Sequence, residues 1–301
     1  MNNISVAIII VNFNGTNDTV ECLKSIDKTI ALQVDVNFDI ILVDNGSKKP
    51  ITAGDLSGIK SKVYLVPSAK NLGFTGGNNL GLQYINEHQI AFDMVLLLNN
   101  DTILVDDSIC RLAMRLNNSS YGIGGVINYY YSNPEVVWQA GNMVRPTRLK
   151  GLAIKSNVDG NDFVKSDFVP GSSMMIKKEV IDKIGFLDDR FFAYFEETDM
   201  SVRASRAGYN TAFLQGTKIL HKVGKASPSV LKHYLRTRNT LLFYEKNFPH
   251  KMYVAKIRIL VRTLLIFFTS KCSFGYIKAY QIGRKDFEKR EFYEGHVPLF
   301  M

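Results

Sequence analysis

The sequence contains few of the features that mark secreted, metal-clustered or membrane-spanning proteins. Its 301 residues include only three cysteines, which lie far apart without paired spacing: Cys22, Cys110 and Cys272. This spacing argues against a disulfide framework or a zinc cluster and favours a reducing cytosol. The apolar stretch from Val6 to Val11 is six residues long and follows no basic region, so we interpret it as a strand rather than a signal peptide.

Two common nucleotide-binding loops are also missing. No Gly-x-Gly-x-x-Gly follows the first apolar run, and the chain has no Walker lysine loop. A dinucleotide-binding fold and a P-loop NTPase are therefore not favoured. The composition, with 46% hydrophobic and 22% charged residues, is that of an ordinary globular protein with one large domain and appendages, or with two domains.

The net charge of +9 comes entirely from the C-terminal part of the chain. Residues 222–301 hold 16 Lys and Arg against 5 Asp and Glu, whereas residues 1–221 hold 21 against 23. A local basic excess of this kind indicates an anionic partner, for which nucleic acid and a membrane surface are the candidates.

The apolar pattern of this basic region favours the membrane over nucleic acid. Lys251, Arg258 and Arg262 share one helical face, and apolar residues follow i, i+3, i+4 spacing on another: Ile257, Leu260, Val261, Leu264, Leu265 and Phe268. This pattern is typical of a helix that lies in an anionic membrane surface, and a core-packing helix with solvated charges fits it equally well. The longest uncharged run of the region, 263–270, is far shorter than the ~20 residues that a membrane span requires.

Short β-rich runs alternate with helical stretches over the first hundred residues. The runs are 6–11, 38–43, 63–66 and 94–98, and the helical stretches lie around 18–30 and 78–88. This alternation predicts βαβ units and hence an α/β fold with a mostly parallel sheet flanked by helices. Each run ends in a polar cluster, and in a parallel sheet these clusters face one crevice.

The triplet Asn99-Asn100-Asp101 is the most informative of these clusters. It places a carboxylate at the end of an apolar run that reads as a fully buried strand. A carboxylate there can hold a divalent cation, which in turn can hold a diphosphate. The alternative is turn and helix-cap chemistry, with Asp101 or Thr102 capping the next element of the chain.

Several ordered motifs together resemble the family 2 glycosyltransferases of GT-A fold, specifically their rhamnosyltransferase-like branch. They are Asn12-Phe13-Asn14-Gly15, Val43-Asp44-Asn45-Gly46-Ser47, Asn71-Leu72-Gly73-Phe74 with Gly76-Gly77-Asn78, Leu97-Leu98-Asn99-Asn100-Asp101-Thr102, Pro170-Gly171-Ser172, Gly185-Phe186-Leu187-Asp188, Phe192-Ala193-Tyr194-Phe195-Glu196-Glu197-Thr198-Asp199 with Arg203, and His221-Lys222-Val223-Gly224. The resemblance implies a GT-A domain over 1–245, followed by a basic amphipathic helical extension over 246–301.

The resemblance also implies a donor site for a nucleotide-diphosphate sugar. Asp44 matches the position that contacts the nucleotide, with an Asx-turn as the alternative. The residues expected on the donor side are Asn12, Asn14, Asp44, Asn71, Gly73, Asn78 and Asn100. Arg236 and Arg238-Asn239 follow His221 closely enough to reach the donor diphosphate or a lipid phosphate, and solvated helix charges are the alternative.

Two residues match metal ligands of the family. Asp101 matches the metal-binding aspartate, and His221 matches a histidine that completes the coordination in some members. Position 99 is Asn where the fullest form of the motif has a second Asp, so the resemblance implies Mg²⁺ or Mn²⁺ held largely by the diphosphate.

The catalytic base is expected in the acidic segment that starts at Glu196. Inverting sugar transfer needs a base for the acceptor hydroxyl, and Glu197 matches the position that the family usually fills with Asp. Glu196 is the alternative. The structural reading is that these acids stabilise a helix N-terminus, with Asp199 and Arg203 as an i,i+4 pair. We accept the structural reading for Asp199 and Arg203 and predict catalysis for Glu197.

Trp138 and Gly171 are expected on the sugar or acceptor side. Aromatic faces stack on sugar C–H surfaces, although Trp138, near Tyr129 and Tyr131, could equally belong to a satellite core.

The expected protein is thus an inverting, metal-dependent glycosyltransferase on the cytosolic face of the plasma membrane. The resemblance implies a donor linked to dTDP or UDP, such as dTDP-rhamnose, and an acceptor that is a polyprenyl-diphosphate-linked saccharide of a bacterial surface polysaccharide. A sugar-phosphate nucleotidyltransferase would show a Gly-rich loop with Arg and Lys after the first strand, which residues 12–18 lack. A noncatalytic nucleotide-sugar-binding or assembly protein would lack the carboxylate that Glu197 provides.

Overall fold

The computed structural model describes residues 3–30, 35–145, 152–154, 162–223, 229–269 and 274–299. Cys272 and Gly224, both considered above, lie outside these residues. The strands are β1 (Ile4–Asn12), β2 (Val36–Asn45), β3 (Val63–Ser68), β4 (Met94–Asn99), β5 (Thr102–Leu104), β6 (Tyr121–Gly125), β7 (Asn128–Tyr130), β8 (Asn133–Gln139), β9 (Gly141–Met143), β10 (Leu152–Ile154), β11 (Phe163–Ser166), β12 (Ser173–Lys177), β13 (Asn210–Leu214) and β14 (Ile219–His221). The α-helices are α1 (Thr16–Ile30), α2 (Gly73–Glu87), α3 (Ser108–Asn117), α4 (Lys178–Ile184), α5 (Glu196–Arg206), α6 (Ser229–Asn247), α7 (Met252–Thr269) and α8 (Phe274–Lys289).

The main sheet has the strand order β11-β13-β6-β12-β4-β1-β2-β3 within the described residues. The four strands predicted from the first hundred residues are neighbours and run parallel, in the order β4-β1-β2-β3. Val11 pairs with Val43 in β2 and with Asn99 in β4, so the polar strand ends lie at one edge as predicted. The sheet is mixed because β12 pairs antiparallel with both β4 and β6.

Alternate side chains of β1 enter two separate cores. Ile8 and Ile10 pack with α1 and α3 on one face of the sheet, whereas Ile9 packs with α2, α4 and α5 on the other. The strand is buried on both faces, and this explains why its sequence is continuously apolar. A second sheet, of order β5-β14-β7-β8, lies beside the carboxyl end of β4.

The three C-terminal helices pack together and onto the main domain. α6 runs past residue 245, where we predicted the domain boundary, and α7 and α8 pack against it. Their shared core joins Leu242 and Tyr244 of α6 to Ile259 of α7 and to Phe191 of the main domain. A single helix therefore crosses residue 245, and the division into two domains at this residue stays a prediction.

α7 has one buried face and one exposed apolar face. Val254, Ala255, Ile259 and Thr263 are buried. The six apolar residues predicted to form an amphipathic stripe are all exposed: Ile257 (48%), Leu260 (45%), Val261 (37%), Leu264 (44%), Leu265 (61%) and Phe268 (70%). The interpretation of these six as core residues is therefore wrong. Among the described residues no helix combines the length and the apolarity that crossing a membrane requires.

Candidate active site

Asp101 and His221 meet at the carboxyl end of β4. β5 begins directly after Asp101, and its antiparallel pairing with β14 sets Thr102 opposite His221. The backbone N–H of Lys222 donates to the carbonyl oxygen of Asp101 at 3.0 Å, which extends this pairing. As a result, Nε2 of His221 lies 3.1 Å from Oδ1 of Asp101. The fold thus brings together the two residues predicted as metal ligands.

The Asp101–His221 pair fits a divalent cation. Oδ1 of Asp101 is buried and, within the part of the chain described, receives no hydrogen bond. Two ligands at right angles on an octahedral ion, each about 2.1 Å from it, lie about 3.0 Å apart, which is close to the spacing of these two atoms. With a single carboxylate, the remaining positions would fall to diphosphate oxygens and water.

Trp138 and Asn99 surround His221. The indole of Trp138 meets the imidazole edge-on, with ring centroids 4.6 Å apart. Nδ2 of Asn99 lies 3.4 Å from Nε2 of His221. Trp138, predicted for the sugar or acceptor side, thus lies against a candidate metal ligand and restricts the plane of its ring. Asn99 was not among the predicted site residues, although the triplet that contains it gave the strongest signal in the sequence.

Asn12, Asn14 and Asn100, at the ends of β1 and β4, bond chiefly to neighbouring segments of the chain. Asn12 is fully buried, with Oδ1 accepting from the hydroxyl of Thr19 at 3.0 Å and Nδ2 donating to the hydroxyl of Ser47 at 3.1 Å. The backbone N–H of Asn14 also donates to Ser47, at 2.9 Å, and Nδ2 of Asn100 donates to Thr19 at 3.0 Å. These three predicted donor-side residues lie at the expected edge of the sheet, where they fix the shape of the loops.

Asp44 holds the loop that follows β2. It is 3% exposed, and its carboxylate accepts from the backbone N–H groups of Ser47, at 3.2 Å, and Ile51, at 2.5 Å. These contacts are those of the Asx-turn alternative. The structure therefore shows a structural use for this carboxylate, and nucleotide contact by Asp44 stays a prediction.

The loop before α2 is closed by amides and a glycine. Oδ1 of Asn71 accepts from the backbone N–H of Gly73 at 2.9 Å and from Nδ2 of Asn45 at 3.1 Å. Gly73 has φ of +73°, and a Cβ there would lie 2.3 Å from the carbonyl oxygen of Phe192, so only glycine fits. Asn78 is buried and donates to a carbonyl of its own helix at 2.8 Å.

The segment before α5 presents Glu196 and Glu197 on a strained backbone. Phe192, Tyr194 and Phe195 have φ values of 62°, 71° and 82°, a region that residues with a Cβ rarely adopt. Strain of this kind persists only where the surrounding structure holds it, and it clusters at functional sites.

Asn239 and Arg238 supply much of that support. Nδ2 of Asn239 lies 2.8–2.9 Å from the carbonyl oxygens of Phe191, Ala193 and Tyr194. Arg238 is fully buried and donates to the carbonyl oxygen of Phe191 at 3.1 Å. The prediction that Arg238 contacts the donor does not fit this position, because its guanidinium is occupied by backbone oxygens behind the acidic segment. Asn239, which was predicted to reach a phosphate together with Arg238, likewise directs its Nδ2 to backbone oxygens.

The environment distinguishes the two glutamates. Burial raises the pKa of Glu196 well above its ordinary value of 4.5, and the negative charge of Glu197 raises it further. Burial also raises the pKa of Glu197, but a backbone hydrogen bond, a hydrogen bond with Glu196 and the positive charge of Arg236 oppose that rise. The stronger upward shift of the Glu196 pKa favours the protonated form of Glu196 and makes Glu197 the candidate base.

We expect Glu196→Gln to stabilise the protein at alkaline pH. A carboxyl whose pKa is raised by folding contributes its full stability below about pH 4 and loses it as the pH rises toward the folded-state value. The neutral amide avoids that loss. Thermal unfolding should therefore show a gain of about 2–4 °C near pH 8 and almost none near pH 4. Glu179→Gln on the exposed surface of α4 is the control, and an equal gain there would contradict the assignment.

Gly171 lies between the two halves of the site. A Cβ on Gly171 would lie 3.4 Å from the ring of Phe74 and 3.9 Å from Cβ of Glu197. One residue on, the carbonyl oxygen of Ser172 accepts from the backbone N–H of Asn99 at 3.2 Å. The segment 170–173 therefore connects the glutamate pair to the end of β4, so the two predicted functional centres lie on either side of this segment.

The fold is that of a GT-A glycosyltransferase. The chain belongs to the glycosyltransferase-like family 2, whose sequence model matches residues 3–240. This match confirms the family predicted from the motifs. It also covers both the Asp101–His221 pair and the glutamate pair.

Curated relatives carry transferase names. The dTDP-rhamnosyl transferase RfbF of Shigella flexneri is 23% identical, over 94% of this chain and 95% of its own length. The low-salt glycan biosynthesis hexosyltransferase Agl10 of Haloferax volcanii is 26% identical, over 71% of this chain and 66% of its own length. The first of these names agrees with the predicted rhamnosyltransferase-like branch.

Solved structures share the fold at low identity. The mannosyltransferase PcManGT of Pyrobaculum calidifontis, solved with GDP-Man and Mn²⁺, has a TM-score of 0.55 at 12% identity, over 93% of this chain and 79% of its own. GalNAc-T7, solved with UDP, GalNAc and Mn²⁺, has a TM-score of 0.57 at 14% identity. This match covers 82% of the present chain and 55% of the GalNAc-T7 chain.

Proposed function

We propose that this protein transfers a sugar, with inversion, from a nucleotide-diphosphate donor to a hydroxyl of a lipid-linked saccharide. One observation supports this above the others: the segment 170–173 contacts both the end of β4, which leads to the Asp101–His221 pair, and Glu197. The pair can hold the cation that binds a diphosphate, and Glu197 can accept the proton of an attacking hydroxyl.

The chemistry divides between these two centres. Glu197 removes the acceptor proton as the hydroxyl oxygen attacks the anomeric carbon, and the bond to the donor diphosphate breaks with its electron pair on the departing oxygen. Glu196 retains its proton and so keeps the second charge out of the buried pair. A bound Mg²⁺ or Mn²⁺ would neutralise charge on the leaving diphosphate, with Asp101 and His221 as its protein ligands.

For the donor we propose dTDP-rhamnose or a related dTDP- or UDP-sugar. The supporting observation is the relative named a dTDP-rhamnosyl transferase, which aligns over nearly the whole chain. For the acceptor we propose a polyprenyl-diphosphate-linked saccharide used in polysaccharide biosynthesis at the cell envelope. Lipid linkage is supported by the exposed apolar face of α7.

A panel of nucleotides tests the donor class. We expect dTDP or UDP to raise the unfolding temperature in the presence of Mg²⁺ or Mn²⁺, because a ligand that binds only the folded state stabilises it. ATP should not do so, and donor hydrolysis should follow the same preference. Stabilisation by ATP alone, or by no nucleotide diphosphate at all, would contradict the proposal, and the first result would favour the nucleotidyltransferase alternative.

We further propose that the protein lies on the cytosolic face of the plasma membrane, held by α7. Six large apolar side chains are exposed on this helix, which is more than scattered surface residues explain. Exposed Lys256 and the basic excess of residues 222–301 add attraction to anionic lipid, at ~1 kcal/mol per basic residue near the surface.

We expect the variant Leu260→Glu/Leu264→Glu to fold normally and to bind anionic vesicles at least about tenfold more weakly, since both side chains are exposed and each would lose apolar burial in lipid. Co-sedimentation with phosphatidylglycerol vesicles measures this, at low and high salt. Val105→Glu/Val136→Glu, which places the same charges at exposed apolar positions away from α7, is the matched control. Equal binding by both variants would rule out the α7 surface.

A further inference from the structure

Helices α6 and α7 bring together five basic side chains, none of which the chemistry above places in contact with a ligand. Lys232, His233 and Arg236 come from α6, and Arg258 and Arg262 come from α7. The spacing of Lys232 and Arg236, and of Arg258 and Arg262, is one helical turn, so each pair shares a face of its helix. The two helices meet at this point, where Nε2 of His233 lies 3.0 Å from Oγ1 of Thr263, the residue after Arg262. The positive charges of Arg236, Arg258 and Arg262 act on one another. We call these five residues the α6–α7 basic cluster.

The cluster has almost no compensating negative charge. Among the described residues, no carboxylate lies within ion-pair distance of Lys232, Arg236 or Arg262. Glu197 acts on Arg236 only from beyond that distance. Arg258 has a neutral partner, because its guanidinium donates to the hydroxyl of Tyr244 at 2.6 Å.

Folding therefore holds several positive charges close together, and their repulsion reduces the stability of the folded state. Burial, together with the positive charges of Arg236 and Arg258, lowers the pKa of Arg262 to about 10. Burial and the charges of Arg262 and Arg236 also lower the pKa of His233, to about 4. His233 is 1% exposed, and its Nδ1 has no partner within the described residues. The four Lys and Arg side chains are half-buried, and holding unpaired charges partly out of water costs free energy, which an anion that binds the cluster would offset.

The cluster lies between the glutamate pair and the apolar face of α7. Nζ of Lys232 lies 5.5 Å from the ring centroid of Tyr194, two residues before Glu196, and the charge of Arg236 acts on the carboxyl of Glu197. Arg258 and Arg262 belong to the helix whose other face exposes Leu260 and Leu264. A lipid-linked acceptor must place its sugar hydroxyl at the base and its hydrocarbon in the membrane, which leaves its phosphate groups between the two.

We propose that the α6–α7 basic cluster is the binding site for the phosphate groups of a prenyl-phosphate-type acceptor. This inference rests on the proposed function for its biological role, because an acceptor linked through a diphosphate is part of that proposal. It assigns Arg236 and Arg262 to contacts with the anion, separate from the donor diphosphate at Asp101 and His221. The guanidinium groups suit this role because they bind phosphate oxygens through paired N–H donors.

The test is direct binding of geranyl diphosphate, measured by calorimetry in EDTA so that a metal-dependent donor site does not contribute. We expect the wild-type protein to bind geranyl diphosphate at least about tenfold more tightly than geraniol, since charge-assisted contacts to phosphate are lost with the alcohol. Arg262→Gln and Arg236→Gln should each weaken that binding at least about tenfold. Lys256→Gln, an equal charge change on the exposed surface of α7, should leave it within about twofold.

Each contrary result overturns the proposal. Equal affinity for geranyl diphosphate and geraniol, or an equal loss in Lys256→Gln, would show that no specific phosphate site exists. If inorganic diphosphate binds as tightly as geranyl diphosphate, the site recognises a free anion. If Arg262→Gln and Arg236→Gln weaken binding to phosphatidylglycerol vesicles as much as to geranyl diphosphate, the cluster recognises membrane headgroups.

Thermal unfolding separates binding from structural support. We expect Arg262→Gln to unfold at the same temperature as the wild type or higher, because the substitution relieves repulsion and removes a buried charge. If Arg262→Gln and Arg236→Gln both lower the unfolding temperature by several degrees, the cluster is structural and the proposal fails. None of these measurements needs a nucleotide sugar, so a failure of the donor panel would be distinguishable from a failure here.

Discussion

We expect Glu197→Gln to lower turnover by about 10²–10⁴ while nucleotide affinity changes by no more than a few-fold. The amide keeps the size of the side chain but cannot take the acceptor proton, and this range is the usual contribution of general base catalysis. Donor affinity should persist because the Asp101–His221 pair is unaltered. Turnover with a saccharide acceptor and nucleotide binding by calorimetry measure the two effects separately.

Glu196→Gln is the matched control for this experiment, since it removes the neighbouring carboxyl by the same substitution. We expect it to retain much more activity, because Glu196 is the protonated member of the pair. Since burial raises the pKa of Glu197, activity should rise with pH through a midpoint above 4.5 as that carboxyl ionises. If Glu196→Gln loses activity and Glu197→Gln does not, the base is Glu196.

Asp101→Ala should remove the metal-dependent part of nucleotide-diphosphate binding, by at least about 10²-fold. Even groups that only orient metal ligands contribute about 10–100-fold to metal affinity, and Asp101 is the single carboxylate of the candidate pair. The fold should survive because the side chain is 23% exposed at the crevice edge. The measurement is the affinity for UDP or dTDP with Mg²⁺ or Mn²⁺ and again with EDTA.

Asp18→Ala is a suitable comparison for Asp101→Ala. Asp18 forms an ion pair with Lys222 at 2.8 Å, so the substitution removes a carboxylate that contacts the residue next to His221 in sequence. We expect metal enhancement to persist in Asp18→Ala. The same enhancement in Asp101→Ala as in the wild type would refute the metal role of Asp101.

Local sequence was sufficient to predict the first half of the fold. The runs around Ile9, Ile41 and Leu97 are apolar on both faces and end in Asn or Asp, and only buried parallel strands satisfy both properties. Their polar ends lie at one edge because the βαβ connection repeats the same handedness. The location of Asp101 at this edge was predictable because the residue directly follows a buried strand. The ion pair of Asp199 with Arg203, at 2.8 Å, was predictable from their spacing of four residues in a helix.

Tertiary structure decided which of these residues are available to a ligand. Asp44 and Arg238 look like ligand contacts in sequence, yet backbone groups take up the carboxylate of one and the guanidinium of the other. The sequence could not show this because their partners belong to irregular segments, whose path no periodicity encodes. The strained backbone before α5 was not predictable from the sequence either. Its support comes from Asn239, which lies more than forty residues away in the chain.

The sequence by itself determined the family, the parallel half of the sheet and the residue types available for chemistry, because these depend on local pattern. Only the tertiary structure decided that His221 reaches Asp101, since a pairing between β5 and β14 sets their 3.1 Å separation across 120 residues. Packing also decided that the pKa of Glu196 is raised well above its ordinary value, and that the apolar stripe of α7 is exposed. Burial and proximity determine these properties, and both arise only when distant segments pack together.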